Sequence, residues 1–497
     1  MTDVDPSQVL ECERERLANS GLIQSYGVLL FMDKQSGAFR YVSANAASLL
    51  GEDPQTLLGQ DGRDWLDRYL PELVDLPTSA GKRIHLLGAL DLGCGELDVL
   101  ISPTSAGWHL EFEPTIPDES DPSAHRLLAL RPPIDTEKLR QLQQSLVEVV
   151  SAVTGYDRVM LYQFHPDWSG EVLAETVRLS TGTYLGLRFP ASDIPAIARG
   201  LYAQTPYRHI PDAAAAPIAL VSRNGDATAL EQTWSDLRSV SAVHAQYLHN
   251  MNVRSSFSVS ISVEGKLWGL IACHHPEPKL ISLQRRQRCK ELAAEFVESL
   301  QTVRKTARRA IYEALTACLA PIKANVALGM ALPEAVAREF PTLAQVFGAP
   351  SGALFIDNAP SLFGEPQDPG TVQALHQWCL RNQGEAVFAL DHLPEALVQA
   401  LQPGGDQVHG VLSVSLRAKR LGNVPVNIYL LRPEEAGEIA WAGNPEKPLE
   451  LTPDGQRLSP RHSFEKWVQV RHGYSRAWDE ESLFAATQLR EQLLTWL

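Results

Sequence analysis

The chain has 497 residues, a length that predicts about three domains at roughly 100–200 residues each. Hydrophobic residues make up 44%, charged residues 21% and aromatic residues 7% of the sequence, which indicates a globular protein and excludes disordered, collagen-like and disulfide-dense classes. No window holds the roughly 20 consecutive apolar residues of a membrane span. The acidic amino end, with Asp3, Asp5, Glu11 and Glu13, is unlike a signal peptide, so we expect a cytoplasmic protein without membrane contact.

The net charge of −15 is concentrated near the amino end, where residues 1–120 carry 20 acidic and 8 basic residues. Such a surface repels nucleic-acid backbones, so no nucleic-acid partner is expected. The six cysteines lie apart without a C-x-x-C pair, at Cys12, Cys94, Cys273, Cys289, Cys318 and Cys379. This spacing disfavours a disulfide framework and a zinc ribbon, so a cysteine with a role acts alone.

The first 114 residues predict a small α+β module. The segments YGVLLFMD and AFRYVS indicate two strands separated by the turn DKQSG, NAASLLG indicates a helix, and RIHLLGA, LDVLIS and WHLEFEP indicate three further strands. Residues 114–133 then hold five prolines and no hydrophobic periodicity, which predicts a linker.

The middle region begins with apolar residues at every third or fourth position from Thr136 to the glycine stop at Gly155, which predicts an amphipathic helix. The strand VMLYQF follows. Between Ser256 and Val263 serines alternate with apolar residues, and after a turn the pattern returns up to Cys273. This predicts a hairpin with one apolar and one hydroxyl-bearing face. The hydroxyl-bearing face is either a solvated surface or the polar wall of a ligand cavity.

A long helix is predicted after Pro278, because apolar residues from Leu292 to Ile311 keep a helical spacing over about thirty residues. We interpret it as a connector between domains. Its interleaved basic residues are interpreted as a solvated face rather than a nucleic-acid site, and they are Arg304, Lys305, Arg308 and Arg309.

Past Pro321 the strands GALFID, GVLSVSL and VNIYLL predict a third mixed domain. Residues 437–476 keep no lasting period, which suggests a functional arm. The chain ends in a predicted helix over 479–497 whose apolar face suggests that it continues or pairs. That face is formed by Leu483, Ala486, Leu489 and Leu493.

Candidate binding chemistry begins in the segment FPASDIPAIARGLYAQTPYRHIPD at 189–212. Ser192 or Asp193 can cap a helix that begins near Pro195. Cations, phenols and imidazoles near the hydroxyl-bearing sheet suit an elongated aromatic ligand with carboxylates. These residues are Tyr202, Arg208, Arg238, His244, Tyr247, Arg254 and His274. Taken singly, each arginine is as well explained by a surface ion pair and each histidine by a structural role.

Other chemistries find little support. His274 and His275 are adjacent on a predicted strand and point to opposite faces, so a zinc site is disfavoured. The string GGDQ at 404–407 lacks the acidic and aromatic residues that follow in a nucleotide-cyclase signature, and a turn explains it better. The sequence contains no phosphate-binding glycine loop, nucleophile elbow or kinase catalytic loop. We therefore expect no enzymatic activity in this chain.

Eight segments together resemble the bacterial phytochromes. They are CERER at 12–16, IQSYG at 23–27, GYDRVMLYQF at 155–164, FPASDIP at 189–195, LRSVSAVHAQYLHNMNVRSS at 237–256, LWGLIACHH at 267–275, WAGNP at 441–445 and PRHSF at 460–464. The resemblance implies three α+β modules with antiparallel sheets flanked by helices: PAS at 1–120, GAF at 121–316 and PHY at 317–497, with a tongue at about 437–476. It also implies a helical spine and an amino-terminal segment knotted through a GAF loop.

The resemblance further implies a biliverdin chromophore joined by a thioether to Cys12. The main-chain carbonyl of Asp193 would accept from pyrrole N–H groups, with His244 near the pyrrole nitrogens and His274 near ring D. The propionates would be held by Arg208, Arg238, Tyr202, Ser256 and Ser258. Ring D would be walled by Tyr162, Phe189 and Tyr247. Ile194, Pro195 and Ser241 complete the implied chromophore contacts.

In the implied tongue, Arg461 would pair with the Asp193 carboxylate, and Trp441 and Ser463 belong to the same signalling element. Relatives that use other bilins attach them through a cysteine before the GAF histidine, and Val243 at that position favours biliverdin. Some positions depart from the family pattern: Leu17 to Asn19, Ser25-Tyr26, Ala242 and Asn252.

The resemblance predicts a red/far-red photoreceptor that signals through its tongue and helical spine to an output domain or a response regulator. A homodimer through the helices near 285–316 and 479–497 is expected, and no metal. Two other functions remain open: a GAF module that binds a cyclic nucleotide or similar effector, and a dimer scaffold. Neither needs Cys12 or the PRHSF segment.

Overall fold

The computed structural model describes residues 17–497 except 80, 118–135, 181, 224, 226–229, 383, 401–407, 420–421, 436, 446–448, 452–457 and 461–462. It divides into two compact units, of which the first comprises residues 1–301 and 440–467 and the second residues 302–439 and 468–497. Among the described residues no helix is long and apolar enough to cross a membrane.

The first sheet of the first unit has seven strands in the order β1-β11-β3-β2-β6-β5-β4. Its strands are β1 (Leu22–Ile23), β2 (Val28–Asp33), β3 (Phe39–Ser43), β4 (Ile84–Asp91), β5 (Glu96–Pro103), β6 (Gly107–Pro114) and β11 (Ile218–Ser222). Three short helices cover one face, namely α1 (Ala46–Leu50), α2 (Pro54–Leu57) and α3 (Gly62–Tyr69). Leu57, Trp65 and Leu66 from these helices are buried against Val99 and Phe112 of the sheet. The strands and the first helix predicted for this region are confirmed.

One strand of this sheet comes from the middle of the chain. β11 pairs antiparallel with both β1 and β3, and the amide of Gln24 donates to the carbonyl of Leu237 over 2.7 Å. The sequence did not predict this insertion. The knot depends on residues 1–16, which lie outside the described residues, so it stays a prediction.

The second sheet has eight strands in the order β10-β12-β13-β7-β8-β9-β19-β22. They are β7 (Arg158–Phe164), β8 (Gly170–Val177), β9 (Arg188–Phe189), β10 (Tyr207–Ile210), β12 (Ser255–Val263), β13 (Lys266–His275), β19 (Gly437–Ala442) and β22 (Lys466–Arg471). α4 (Thr136–Thr154) packs its Leu142, Leu146 and Val150 on one face, and Gly155 follows with φ +66°. The predicted helix and hairpin are therefore confirmed.

The other face of this sheet carries short helices. A 3-10 turn at Ala191–Asp193 precedes α5 (Ala196–Tyr202), and α6 (Ala242–Asn250) follows later in the chain. α6 ends before Asn252, whose φ is +56°. Asparagine tolerates this left-handed conformation better than most residues, so the turn can form without a glycine.

The long helix α7 (Leu283–Ala327) has 45 residues and contains Pro321. It is longer than predicted, since the helix continues through that proline. The basic face is only partly solvated: Arg304 and Arg308 form ion pairs with Glu480 and Glu481, with N–O distances of 3.1 and 3.4 Å.

The second unit contains a five-stranded antiparallel sheet in the order β15-β14-β18-β17-β16. Its strands are β14 (Ser351–Ile356), β15 (Ala359–Gly364), β16 (Val387–Leu390), β17 (Gly410–Ala418) and β18 (Val424–Arg432). The helices are α8 (Leu332–Phe347), α9 (Pro369–Asn382), α10 (Glu395–Ala400) and α11 (Glu480–Leu494). The predicted strands are confirmed.

The apolar face of α11 is mostly used inside the second unit. Ala486, Leu489 and Leu493 belong to its core, whereas Leu483 is 37% exposed. Three of the four residues of the predicted apolar face are therefore buried within the second unit, and the exposed Leu483 is the one that remains open to a pairing contact.

Candidate functional site

A cavity of about 430 Å³ lies between the second sheet and the segments that carry α5 and α6. The predicted chromophore contacts that the structure describes all line this cavity: Tyr162, Phe189, Asp193, Ile194, Pro195, Tyr202, Arg208, Arg238, Ser241, His244, Tyr247, Ser256, Ser258 and His274. The prediction for Arg254 is wrong, because it is absent from the lining and its guanidinium pairs with the carboxylate of Asp212. Cys12 lies outside the described residues. The hydroxyl-bearing face of the hairpin is thus a cavity wall at Ser256 and Ser258, while Ser262 is exposed.

Asp193 does not cap a helix, which corrects the first interpretation of this residue. Pro195 occupies the N-cap position of α5, and no side chain caps that end. Asp193 closes the 3-10 turn instead, and its Oδ2 accepts a hydrogen bond of 2.9 Å from the hydroxyl of Tyr247. The turn is held from behind by Arg199, which donates to the carbonyls of Ala191 and Ile194 over 3.3 and 2.6 Å. Asp193 is therefore presented to the cavity.

Two arginines, the half-buried Arg208 and the buried Arg238, give one part of the cavity a strong positive charge. Arg208 on β10 donates to the carbonyls of Asp236, Arg238 and Ser239. Arg238 is 7% exposed, and its Nη1 has no hydrogen-bond partner among the described residues. Burial, and then repulsion from Arg208, lower the pKa of Arg238 to about 9. An anionic ligand group would relieve both penalties.

Two histidines face the cavity as neutral imidazoles. Burial, with a smaller contribution from Arg208, lowers the pKa of His244 to about 4. Burial, and then the charge of Arg158, lower the pKa of His274 to about 3. The Nδ1 of His274 is buried without a partner among the described residues. His275 points the other way, as predicted, and its Nδ1 accepts from the amide of Asp157.

An aromatic wall closes the opposite part of the cavity. The rings of Tyr162 and Phe189 meet edge to face at 6.0 Å, and Tyr247 stacks on His244 with ring centroids 6.2 Å apart. Phe464 meets the Tyr247 ring edge to face at 5.4 Å. This wall offers apolar contact with few hydrogen-bond donors.

The arm at 437–476 reaches this wall. It contains two strands of the second sheet and a separate pair, β20 (Leu449–Leu451) with β21 (Leu458–Pro460), so the prediction of an irregular segment is corrected. Trp441 is 7% exposed and pairs in parallel with Arg188 of β9. Ser463 is exposed. Arg461 lies outside the described residues, and its pairing with Asp193 stays a prediction.

Sequence reasoning missed several lining residues. Met160, Leu270 and Ala272 line the cavity from β7 and β13, and Leu17 approaches it from the amino-terminal segment. Met160 precedes Tyr162 by two positions, and Ala272 precedes His274 by two, so strand alternation could have found both. Nothing in the sequence pattern marks Leu17. Among the described residues no group of histidines, cysteines and carboxylates could hold a metal ion.

Family models match most of the chain in the predicted order. A PAS fold matches residues 12–114, a GAF domain residues 138–303 and the phytochrome region residues 321–497. The predicted boundaries at 120 and 316 stay predictions, because these matches leave the linkers unassigned.

Curated relatives agree with the family models. The bacteriophytochrome of Pseudomonas aeruginosa is 33% identical over 99% of this chain and 67% of its own length. Cyanobacterial phytochrome B of Nostoc sp. is 30% identical over 97% of this chain and 65% of its own, so the chain spans about two thirds of these relatives.

Among solved structures, the Stigmatella aurantiaca phytochrome photosensory core module superposes with a TM-score of 0.82 at 28% identity, covering 97% of both chains. A bacteriophytochrome from R. palustris reaches 0.81 at 26% identity over 98% of both chains. With its three domains in the order PAS, GAF and PHY, the chain belongs to the phytochrome family and carries that family's photosensory core.

Proposed function

We propose that this chain is a red/far-red photoreceptor that binds biliverdin covalently at Cys12. The observation that carries the proposal is the division of one cavity into two parts, with Arg208 and Arg238 in one and an aromatic wall in the other. Its volume of about 430 Å³ lies within the range of roughly 300–1,000 Å³ typical of small-molecule sites. An open-chain tetrapyrrole with two carboxylates fits this division of charge.

The arginine side of the cavity would hold the propionates. Arg238 offers its unpartnered Nη1, and Arg208, Tyr202, Ser256 and Ser258 add further donors, so each carboxylate meets cationic and hydroxyl groups. The main-chain carbonyl of Asp193 would accept from the pyrrole N–H groups, and the neutral imidazole of His244 would lie beside them. When bound, biliverdin supplies the light-driven rotation of ring D about its methine bridge.

The aromatic side would leave that ring free to rotate. Tyr162, Phe189 and Tyr247 provide apolar contact rather than a fixed hydrogen-bond clamp. His274, with Nδ1 unpartnered, would hold the ring D carbonyl in one of its two positions. Loss of that contact on rotation gives the two states different stabilities, which is the requirement for a switch.

Cys12 is supported as the attachment site by chain reach. Leu17 lines the cavity and lies five residues from Cys12, a span of at most about 17 Å in extended chain. Val243 also lines the cavity, so the alternative attachment position carries no thiol.

The arm would carry the signal onward. Phe464 contacts Tyr247, which in turn bonds Asp193, so changes at Asp193 have a direct route to the segment that contains Arg461 and Ser463. We further propose a cytoplasmic homodimer without enzymatic activity of its own, whose output belongs to an attached domain or a response regulator.

Co-expression with biliverdin tests this function. The purified chain should be coloured, should change its absorption spectrum reversibly under red and far-red light, and should fluoresce with zinc after denaturation because the link is covalent. Cys12→Ala should keep a coloured, non-covalent complex without zinc fluorescence, and Cys94→Ala, which removes an exposed cysteine, serves as the control. A colourless unmodified chain would refute the proposal.

A further inference from the structure

A short segment, residues 235–239, connects the two arginines of the cavity with the first sheet. Arg238 belongs to the segment, and Arg208 donates to three of its carbonyls. The position of both guanidinium groups therefore depends on how this segment is held. The segment belongs to no helix or strand. Its backbone is supported by an isolated β-bridge between Arg238 and Ile23 and by hydrogen bonds of Leu237 and Ser239 with the chain around β1, and buried side chains add to this support.

Glu111 on β6 holds the segment through its carboxylate. Oε1 accepts from the hydroxyl of Ser235 over 2.6 Å and from the amide of Leu237 over 2.9 Å, and Oε2 accepts from the amide of Asp236 over 3.2 Å. Glu111 is 3% exposed. A buried carboxyl group with three such bonds fixes three consecutive residues, because each donor would otherwise be buried without a hydrogen-bond partner.

A cation from the same sheet adds a second attachment. The side chain of Arg83 is 5% exposed and donates to Oδ1 of Asp236 over 2.5 Å and to the hydroxyl of Ser102 over 3.0 Å. Arg286 at the start of α7 approaches Oδ2 of Asp236 at 3.4 Å and pairs with Glu113. Together with Arg208, this buried cluster balances three cations against three carboxylates.

We propose that Glu111, assisted by Arg83, is a positioning residue for carboxylate recognition in the cavity. It touches no ligand itself; it fixes residues 235–239, which carry Arg238 and orient Arg208. The first module would thereby contribute to chromophore affinity and to the selection of tetrapyrroles with free propionates. This inference rests on the proposed function, since it needs a bilin in the cavity.

The test compares biliverdin with its dimethyl ester, which lacks the two negative charges. Full-length Cys12→Ser protein makes binding reversible, and both pigments are titrated by absorption and by quenching of tryptophan fluorescence. Glu111→Gln keeps one acceptor oxygen and replaces the other with an NH2 group, which then faces the N–H donor of either Asp236 or Leu237. We expect about 10-fold weaker binding of biliverdin and less than about 2-fold weaker binding of the ester.

Asp98→Asn is the matched control. Asp98 is also a buried carboxylate of the first sheet, 2% exposed, and it accepts from the amide of Gly88 and the hydroxyl of Thr115, both over 2.8 Å, without contact to residues 235–239. Asp98→Asn should change the affinities for biliverdin and for its dimethyl ester by the same factor. Ser235→Ala is a milder change that removes one hydrogen-bond donor to Glu111. It should weaken the binding of biliverdin about 3-fold more than the binding of the ester.

The outcomes separate the two proposals. If Glu111→Gln and Ser235→Ala weaken acid and ester equally, or leave both unchanged, the positioning role is refuted. If the Cys12→Ser protein without further substitution takes up neither pigment, the proposed function itself fails. Should Glu111→Gln prevent folding, the acid-to-ester ratio of Ser235→Ala decides alone.

Discussion

Gly170 supports the aromatic wall of the cavity from behind. It begins β8 opposite Phe164, where the pairing of β7 with β8 shifts register at Tyr162. A Cβ atom built at Gly170 would lie 1.8 Å from Cζ of the Tyr162 ring, far inside van der Waals contact. The ring is 6% exposed and packed against Phe164 and Phe189, so the open direction is toward the cavity.

Gly170→Ala should therefore push Tyr162 into the cavity. We expect a loss of about 1–3 kcal/mol in the free energy of unfolding, as for other overpacked sites, together with reduced pigment uptake. Both are measured on the full chain, by urea unfolding and by absorbance after addition of biliverdin.

Gly200→Ala is the control for this substitution. Gly200 lies in α5 with nothing within 4 Å of a built Cβ, and alanine has the higher helix propensity, so the variant should be neutral or more stable by up to about 1 kcal/mol. Normal pigment uptake by Gly170→Ala would show that Tyr162 moves elsewhere.

Single residues of the cavity were predictable because motifs identify them, whereas their partners were not. FPASDIP marks Asp193, but its bond with Tyr247 joins residues 54 positions apart. Helix-capping rules favoured a local role for Asp193, and a tertiary contact replaced it. Glu111 was invisible as a site residue, since one acidic position in an alternating strand has no distinguishing pattern.

At the scale of elements, Arg432 connects the end of α8 with the residues at the end of the arm. It ends β18, and its guanidinium donates to four carbonyls: Phe347 and Gly348 at the end of α8, and Arg476 and Ala477 just before α11. It also lies over the Trp478 ring, 3.6 Å from the ring centroid. The arm at 437–476 begins shortly after Arg432 and ends at Arg476. Arg432 therefore connects the chain just before the arm with the backbone at its end.

Arg432→Met should loosen this junction. Four carbonyls lose their donor and the stacking on Trp478 is lost, so we expect the unfolding transition of the second unit to lose about 3 kcal/mol or more. Amide hydrogen exchange should also accelerate in the first turn of α11. Arg417→Met is the control, because Arg417 is exposed on β17 and its guanidinium donates a hydrogen bond of 3.2 Å to the carbonyl of Asn423. If both variants lose equal stability, the junction has no special role.

Elements with a strong hydrophobic period were predictable, and those stabilised by neighbours were not. α4 and the β12–β13 hairpin follow their patterns because each buries one continuous face. β19 and β22 lack such a pattern, and pairing within the second sheet stabilises them instead. α7 continues through Pro321 although proline disfavours a helix interior. Leu315, Cys318, Leu319 and Ile322 around that position are buried in the core of the second unit, and this burial offsets the cost.

At the scale of the whole molecule, the fold class and module order were predictable and the insertion of β11 was not. β11 reaches the first sheet from between β10 and α6, and its short apolar run resembles any buried strand. The insertion explains why the first two modules form one compact unit. It also brings the buried cluster around Asp236 together from residues far apart in sequence.

Several described histidines of the first unit have a lowered pKa, and they include His85, for which burial lowers the pKa to about 4. Burial lowers the pKa of His109 to about 4, of His244 to about 4 and of His274 to about 3, and holds the pKa of His209 well below its usual value. The unfolded chain binds these protons near pH 6.5. Between about pH 6.5 and 4 the unfolded state therefore binds more protons than the folded state, so stability falls as pH decreases.

Two buried carboxyls act in the opposite direction. Burial raises the pKa of Glu111 and of Glu113 above the usual range, so the folded state takes up their protons earlier than the unfolded state does. Because the histidines with a lowered pKa outnumber these two carboxyls, we expect the pigment-free chain to be less stable at pH 5 than at pH 7.

His109→Leu isolates one contribution to this pH dependence. His109 is fully buried, with its ring 5.4 Å from that of Phe31, so leucine can occupy the site. For an imidazole with a pKa near 4 when folded and near 6.5 when unfolded, the stability lost between pH 7 and 5 is about 2 kcal/mol. The free energy of unfolding of the pigment-free chain is measured by urea unfolding at pH 7 and at pH 5. The decrease in this free energy from pH 7 to pH 5 should be smaller by that amount in the variant than in the wild type. His249→Leu, at an exposed position of α6, should keep the wild-type difference, and an unchanged difference in His109→Leu would mean that His109 takes up its proton in the folded state as readily as in the unfolded one.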